Sequence, residues 1–291
     1  MRTAPEWFGA IRRPILIGER LNAAGNARLA ARLSAGEWGA IDEEARAQAE
    51  AGADALDVNG ALAGADERAT LLEMVSRARA ACDLPLSIDT RDPALLVEAC
   101  RAAAPRALAN SLPATRDALE RHLPSLARLG VPVVGLALDE AGVPPSSSGR
   151  LACAARFVAA ARALGIPDAR LLVDCLALPG GEDPVAANAE TLAAMRAVKN
   201  RLGVPLILGI SNVSYAPAPR AIGGQAPAAP RRTANAAFLA AALAAGLDVA
   251  IADPLDAEVQ RAIRDARARG ASAPARANRS PSRKEVLGWL S

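Results

Sequence analysis

The chain has 291 residues, 52% of them hydrophobic but only 2% aromatic, so a sizeable core can be buried and must be built mainly from Ala, Leu, Val and Ile. Its 34 Lys and Arg stand against 31 Asp and Glu, a net charge of +3 with the two signs interleaved, which leaves no nucleic-acid footprint. One histidine, His122, and four scattered cysteines (Cys82, Cys100, Cys153 and Cys175) exclude a histidine-rich metal site, a zinc knuckle and a disulfide framework, and fit reduced thiols in the cytoplasm.

The N-terminal segment has no apolar signal core, and no apolar run reaches membrane-spanning length. The first strand signal is PILIGER (14–20), which carries Glu19 near its end, with Asn22 just beyond. A helical stretch over 37–51 closes at Gly52, and ADALDVN (53–59) follows as a second strand carrying Asp57 and Asn59. A helix over 66–82 leads to LPLSIDT (84–90) with Asp89, and Asp92 before Pro93 is placed to cap a helix over 93–103. RALANS (106–111) ends in Asn110 and Ser111; the helix after it spans 115–129 and closes at Gly130. VPVVGLAL (131–138) precedes a helix over 150–165, and RLLVDCLALP (170–179) presents Asp174 before a helix over 186–202. VPLILGISN (204–212) reads as the seventh strand, apolar until it delivers Ser211 and Asn212. After a helix over 233–245, LDVAIADP (247–254) ends in Asp253, and a last helix covers 256–269.

Several strands start at Pro14, Pro85, Pro132 and Pro205, where no ladder N–H is needed, and the helices before strands end at Gly52, Gly130, Gly165, Gly203 and Gly246. Strict strand–helix alternation means parallel strands joined by right-handed crossovers. Eight such units predict an α/β fold, a single (β/α)8 TIM barrel over residues 1–270. A doubly wound open sheet is the alternative, but no GxGxxG follows the first strand and GISNVS is not a phosphate loop. Two segments break the alternation: the Pro-rich loop 216–232, and the tail 271–291, a low-complexity basic linker followed by a short amphipathic helix.

The polar residues Glu19, Asn22, Asp57, Asn59, Asp89, Asn110, Asp174, Ser211, Asn212 and Asp253 all fall at carboxyl ends of strands, the end where a barrel enzyme carries its site. One such Asp is as often a cap or turn former. The set together describes a mouth lined with acceptors and amides and poor in positive charge, which suits a neutral, nitrogen-rich heterocycle better than a phosphate.

In order, ILIGERLNAAG, ALDVN, LSIDT, ALANS, LLVDCLALP, LGISNVSY and FLAAALAAGLDVAIADP resemble the pterin-binding methyltransferase family. The chain most resembles the methyltetrahydrofolate:corrinoid protein methyltransferases and is similar to the folate domain of cobalamin-dependent methionine synthase. The resemblance runs from Ile15 to Asp256, and its specific part is G-E-R-x-N at the first strand together with S-N-V-S at the seventh. Dihydropteroate synthases share the barrel, but usually carry a Lys and a Ser-x-Arg where this chain has GISNVSY and VAIADP.

The resemblance implies that Asp89, Asn110 and Asp174 hold the pyrimidine edge of the pterin. It implies that Asn212, beside Ser211, reaches N5, the atom bearing the methyl group, and that Asp57 and Asn59 shape the mouth or its hydrogen-bond network. Asn212 and Asp174 are then the catalytic residues, within a network rather than one strong acid. The substrate implied is tetrahydrofolate or methyltetrahydrofolate. The corrinoid (cobalamin) is carried by a partner protein, no metal is bound by this chain, and the chain forms a homodimer. The direction of transfer stays open, as do a dihydropteroate synthase-like condensation and a non-catalytic pterin-binding subunit. One departure stands out: Asn235 matches a family Asn, but Ala236 stands where Arg is expected, leaving Arg220, Arg231 or Arg232 as replacements.

Overall fold

The computed structural model describes residues 13–179, 184–214 and 228–270. Eight parallel strands close a barrel in chain order: β1 (Ile15–Asn22), β2 (Ala55–Asn59), β3 (Leu86–Asp89), β4 (Ala107–Pro113), β5 (Val133–Leu136), β6 (Leu171–Asp174), β7 (Leu206–Gly209) and β8 (Val249–Ala252). Parallel neighbours cannot be joined by a tight turn, so each crossover carries a helix. These are α1 (Ala27–Ser34), α2 (Gly39–Glu50), α3 (Glu67–Ala81), α4 (Pro93–Ala103), α5 (Leu123–Leu129), α6 (Ser147–Ala163), α7 (Pro184–Leu202), α8 (Ala228–Ala244) and α9 (Ala257–Gly270). The (β/α)8 expectation holds, and the five glycines placed at helix ends all have positive φ. Asp92 caps α4 as expected, accepting from the N–H groups of Ala94 and Leu95. Among the described residues no helix is long and apolar enough to cross a membrane.

Three elements differ from expectation. Helix α1 has no counterpart in the predicted pattern; it is eight residues long and anchored only by Leu29 and Leu33, with Asn26 as its cap. The stretch 115–129 opens as a π-helical turn, Ala118–His122, in which the Leu123 N–H reaches the Ala118 carbonyl. Pro124, with no N–H to continue the regular ladder, follows directly. Helix α8 begins at Ala228, inside the span read as a loop; Pro230 falls in its first turn, where no N–H is required. Residues 216–227 and the tail 271–291 lie outside the described residues.

Strand periodicity divides the core into two layers. Ile15, Ile17, Leu108, Val134, Leu172 and Ile207 face inward and, with Ala55, Val249 and Ile251, fill the barrel floor. Their neighbours, such as Leu16, Leu56, Ile88, Val133 and Leu208, face outward and pack against the helices. The helices approach closely where glycine allows it. A Cβ on Gly60, just beyond β2, would lie 2.6 Å from the backbone nitrogen of Leu71 in α3. Backbone cannot yield as a flexible side chain can, so Gly60→Ala is expected to destabilise the protein by about 1–3 kcal/mol. Urea unfolding would read this as a lower midpoint at unchanged slope.

Candidate functional site

The same inward parity that builds the apolar floor changes character towards the carboxyl ends. On β1 the inward series is Ile15, Ile17, Glu19; on β2 Ala55, Asp57, Asn59; on β4 Leu108, Asn110; on β6 Leu172, Asp174. Strand β3 adds Ser87 and Asp89, and its register sets Asp89 between Asn59 on β2 and Asn110 on β4. The floor is therefore capped by a polar ring.

Hydrogen bonds within the ring consume its donors. Ser87 Oγ donates to Asp57 Oδ1 at 2.6 Å, and Asn110 Nδ2 donates to the same oxygen at 3.1 Å. Asn59 Nδ2 donates to Asp89 Oδ2 at 2.8 Å, while its Oδ1 accepts from the Ala61 N–H. The Leu176 N–H donates to Asp174 Oδ1 at 2.6 Å. Among the described residues no donor reaches Asp89 Oδ1, Asn110 Oδ1 or Asp174 Oδ2. The mouth thus offers three acceptors on three strands. Asp57, 3% exposed, lies beneath them and fixes the orientation of Asn110.

Crowding buried carboxyls raises their pKa values. Burial carries Asp174 from the ordinary value to about 7, helped by the charge of Asp89 and opposed by the Leu176 N–H and by Arg150. Asp57 is pushed well up by burial and by Asp89, against the bonds from Ser87 and Asn110. Asp89 is raised by burial, against the bond from Asn59 and the charge of Arg91. Glu19 is also raised to about 7, by burial first, with Ser211 lowering it, Asp253 raising it, and Arg231 and Arg20 lowering it. The ring therefore holds protons near neutrality.

The strand that was to deliver Ser211 and Asn212 ends earlier than expected. β7 stops at Gly209, and Ile210–Ser214 forms a 3-10 turn. Ile210 is buried, but the run after it lacks the alternation that would hold it in the sheet, and Ser214 Oγ closes on the Ser211 carbonyl at 3.1 Å instead. Ser211 Oγ donates to Glu19 Oε2 at 2.8 Å across the β1–β7 side of the mouth. Asn212 is exposed, and its side chain makes no hydrogen bond among the described residues. Its Nδ2 lies 3.0 Å from where a Cβ on Gly209 would stand, so a side chain there would push the amide aside by a few tenths of an ångström.

Glu19 was counted from the sequence among the strand-end polar groups but given no part in binding or catalysis, and Ser87 was not counted at all. For Glu19 the signal was present: a carboxylate at inward parity with Ile15 and Ile17. A bulge between Gly18 and Leu21 supports it. There the Arg20 N–H is taken by Gln48 Oε1 at 2.9 Å, in space that a Cβ on Gly18 would occupy. The Arg20 guanidinium is held by Glu44 and Asp253, at 2.7 and 3.1 Å. Of the basic residues proposed for the loop after β7, Arg231 acts on Glu19, Arg232 lies 3.8 Å from Asp256, and Arg220 lies outside the described residues. No grouping among the described residues has three His, Cys, Asp or Glu placed to hold a metal ion.

The chain is similar to known proteins in sequence and in fold. The profile of the family described as pterin binding enzyme matches residues 18–253. The methionine synthase of Mycobacterium tuberculosis is 29% identical over 249 residues, which is 81% of this chain but 20% of that protein, so the chain spans about a fifth of that relative. The methylcorrinoid:tetrahydrofolate methyltransferase of Eubacterium limosum is 26% identical over 253 residues, 86% of this chain and 88% of that protein. Among solved structures, a dihydropteroate synthase from Stenotrophomonas maltophilia superposes with a TM-score of 0.67 at 21% identity, covering 90% of this chain and 95% of that one. At that identity the likeness concerns the fold.

Proposed function

Since the chain belongs to the family of pterin binding enzymes, we propose that it moves the N5 methyl group between methyltetrahydrofolate and the cobalt of a corrinoid held by a partner protein, in either direction. The observation that carries this reading is the set of open acceptors, Asp89 Oδ1, Asn110 Oδ1 and Asp174 Oδ2, beside the unengaged amide of Asn212. The edge of a pterin offers an amino group and ring N–H donors, which pair with carboxylate and amide oxygens. Asp57 and Asn59 act one layer back, by orienting Asn110 and Asp89.

The chemistry sets the task for the remaining residues. When the methyl group leaves, the bonding pair stays on N5 and must be met by a proton or a donated hydrogen bond. In the reverse direction N5 must be left free to attack. Asn212 supplies the donor. The Ser211–Glu19 pair, with Glu19 titrating near pH 7, holds an exchangeable proton on the same side of the mouth. The corrinoid supplies the methyl acceptor or donor as a co-substrate.

A dihydropteroate synthase-like condensation is the competing reading, and the position of lysine weighs against it. The chain has two lysines, Lys199 and Lys284. Lys199 pairs with Asp248 at 2.5 Å, and Asp248 precedes β8 and binds the Leu206 N–H at the start of β7, the end of the barrel away from the mouth. Lys284 lies outside the described residues.

The direct test is binding of methyltetrahydrofolate to the full chain, followed by mixing with Co(I) cobalamin while its absorbance is followed. Binding with decay of the Co(I) band and formation of methylcobalamin is expected. Condensation of a pterin diphosphate with p-aminobenzoate, without methyl transfer, would overturn the proposal.

A further inference from the structure

Arg150 stands out among the charged residues as 1% exposed, in the first turn of α6, with no carboxylate bonded to it among the described residues. Burying a charge is unfavourable unless its donors are satisfied. Here backbone takes up Nε and Nη1: Nε donates to the Pro144 carbonyl at 2.9 Å, and Nη1 to the Cys175 carbonyl at 3.1 Å and the Leu176 carbonyl at 3.3 Å. Nη1 also donates to Thr191 Oγ1 on α7 at 2.6 Å, whose hydroxyl lies 3.0 Å from the Leu176 carbonyl. Two helices thus grip the two residues that follow β6, Cys175 and Leu176.

The grip has a direction. The carbonyl of Cys175 and the N–H of Leu176 belong to one planar peptide and point opposite ways. With Arg150 bound to the carbonyl, the N–H is turned to the other side, where it meets Asp174 Oδ1 at 2.6 Å. Leu176 has φ 64°, the described non-glycine residue with a left-handed backbone, a conformation unfavourable for any side chain with a Cβ. Such strain persists only where the surroundings over-determine it. Arg150 and Thr191 are those surroundings.

We infer that Arg150 is a positioning residue, acting through the Cys175–Leu176 peptide to fix the carboxyl of Asp174 with one oxygen tied and the other open to the mouth. Its importance for pterin binding rests on the function proposed above; its hold on Asp174 does not. The charged and titratable groups around Asp174 are few. Asp89 faces it from β3 and raises its pKa, while Arg150 behind it lowers it. The Cys175 thiol is buried and pushed up, and Glu190 on α7 contributes through Arg150 while accepting from the Ser147 N–H at 2.5 Å. Arg150 is the cation among them.

Carboxyl 13C NMR of the unliganded full chain, with Asp174 assigned by Asp174→Asn, reads the titration directly. In Arg150→Met the Asp174 midpoint is expected to rise by about one unit or more, since both a nearby cation and an aligned N–H donor are lost. Thr191→Val, which frees the Leu176 carbonyl and removes a partner of Arg150 Nη1 while keeping the charge, should move it less but in the same direction. Methyltetrahydrofolate affinity measured from pH 6 to 9 should then show its acid limb displaced upward in Arg150→Met, with the loss at pH 7 largely recovered at pH 9. A midpoint unmoved in Arg150→Met would overturn the inference. If that variant does not fold, unmoved midpoints in both Arg150→Lys and Thr191→Val would do so. A wild type that titrates as described but binds no pterin would instead sink the proposed function.

Discussion

Asp174→Asn is expected to weaken methyltetrahydrofolate binding by roughly 10- to 100-fold and, at the same time, to make the unliganded protein more stable at pH 8. The loss of affinity follows from the hydrogen-bond inventory. Asp174 keeps Oδ2 open to the mouth while Oδ1 is tied to the Leu176 N–H. A hydrogen bond to a charged group contributes about 1.5–3 kcal/mol, and an amide in its place can turn a donor towards a donor. The gain in stability follows from the pKa. Asp174 titrates near 7 in the fold against 3.8 unfolded, so the folded state binds the proton more tightly. That preference contributes its full stability below about pH 4 and is lost as pH rises towards and through 7, leaving a penalty of about 4 kcal/mol at pH 8. Glu19 carries a penalty of the same sign. Thermal melts of both proteins between pH 4 and pH 8 check this: the advantage of Asp174→Asn should be several degrees at pH 8 and shrink towards nothing at pH 4. A variant less stable than wild type at pH 8 would mean that the carboxylate is held by favourable contacts and that the ring is not strained by its charges.

The barrel was legible because its signals are local and repeated. Apolar runs opened by Pro14, Pro85, Pro132 and Pro205, and helices closed by glycine, announce each unit within its own residues. The polar ring was legible for a related reason, since period-two alternation carries Leu172 to Asp174 and Leu108 to Asn110 on one face. Failures came where a signal was short or relational. Helix α1 rests on Leu29 and Leu33 alone, too few apolar positions to show a period. The end of β7 depends on how Ser211 and Ser214 bond across a turn, and neither partner is implied by spacing. Glu19 was visible as a strand-end carboxylate, but its tie to Ser211 spans 192 positions of sequence and exists only once the barrel closes. Nothing in the sequence marks Arg150 out among the arginines of its Ala-rich helix; its burial and its grip on the chain after β6 follow from how α6 and α7 pack.

These residues share a logic. The groups that complete the mouth from behind (Asp57 under Asn110, Asn59 beside Asp89, Arg150 behind Asp174) are each committed to bonds inside the protein, and each leaves one oxygen of its neighbour unused. A ligand donor then meets an acceptor already held in place, and little conformational freedom is lost on binding. Raised carboxyl pKa values are the cost of assembling such acceptors out of water, and on the function proposed above a bound pterin would offset it by supplying the missing donors.

Asn212 should behave oppositely to Asp174 and separate catalysis from binding. Its side chain is exposed, folded over Gly209, and unbonded among the described residues, so its removal disturbs no internal network. Asn212→Ala should therefore melt close to wild type and bind methyltetrahydrofolate within about tenfold, since one neutral hydrogen bond contributes about 0.5–1.5 kcal/mol. Turnover is another matter. If the amide meets N5 as the methyl group departs, the interaction is strongest where charge changes, and kcat should fall by roughly 100-fold or more. Single-turnover mixing of the methyltetrahydrofolate complex with Co(I) cobalamin measures the chemical step separately from binding. Asn212→Asp provides the contrast, because a carboxylate of the same shape cannot donate while ionised; it should be as slow as the alanine variant above its own pKa. Asn212→Ala with wild-type turnover would remove Asn212 from the chemistry and leave proton delivery to the neighbouring Ser211–Glu19 pair. An equal fall in affinity and rate would place Asn212 in uniform binding, a pterin contact no more important in the transition state than in the ground state.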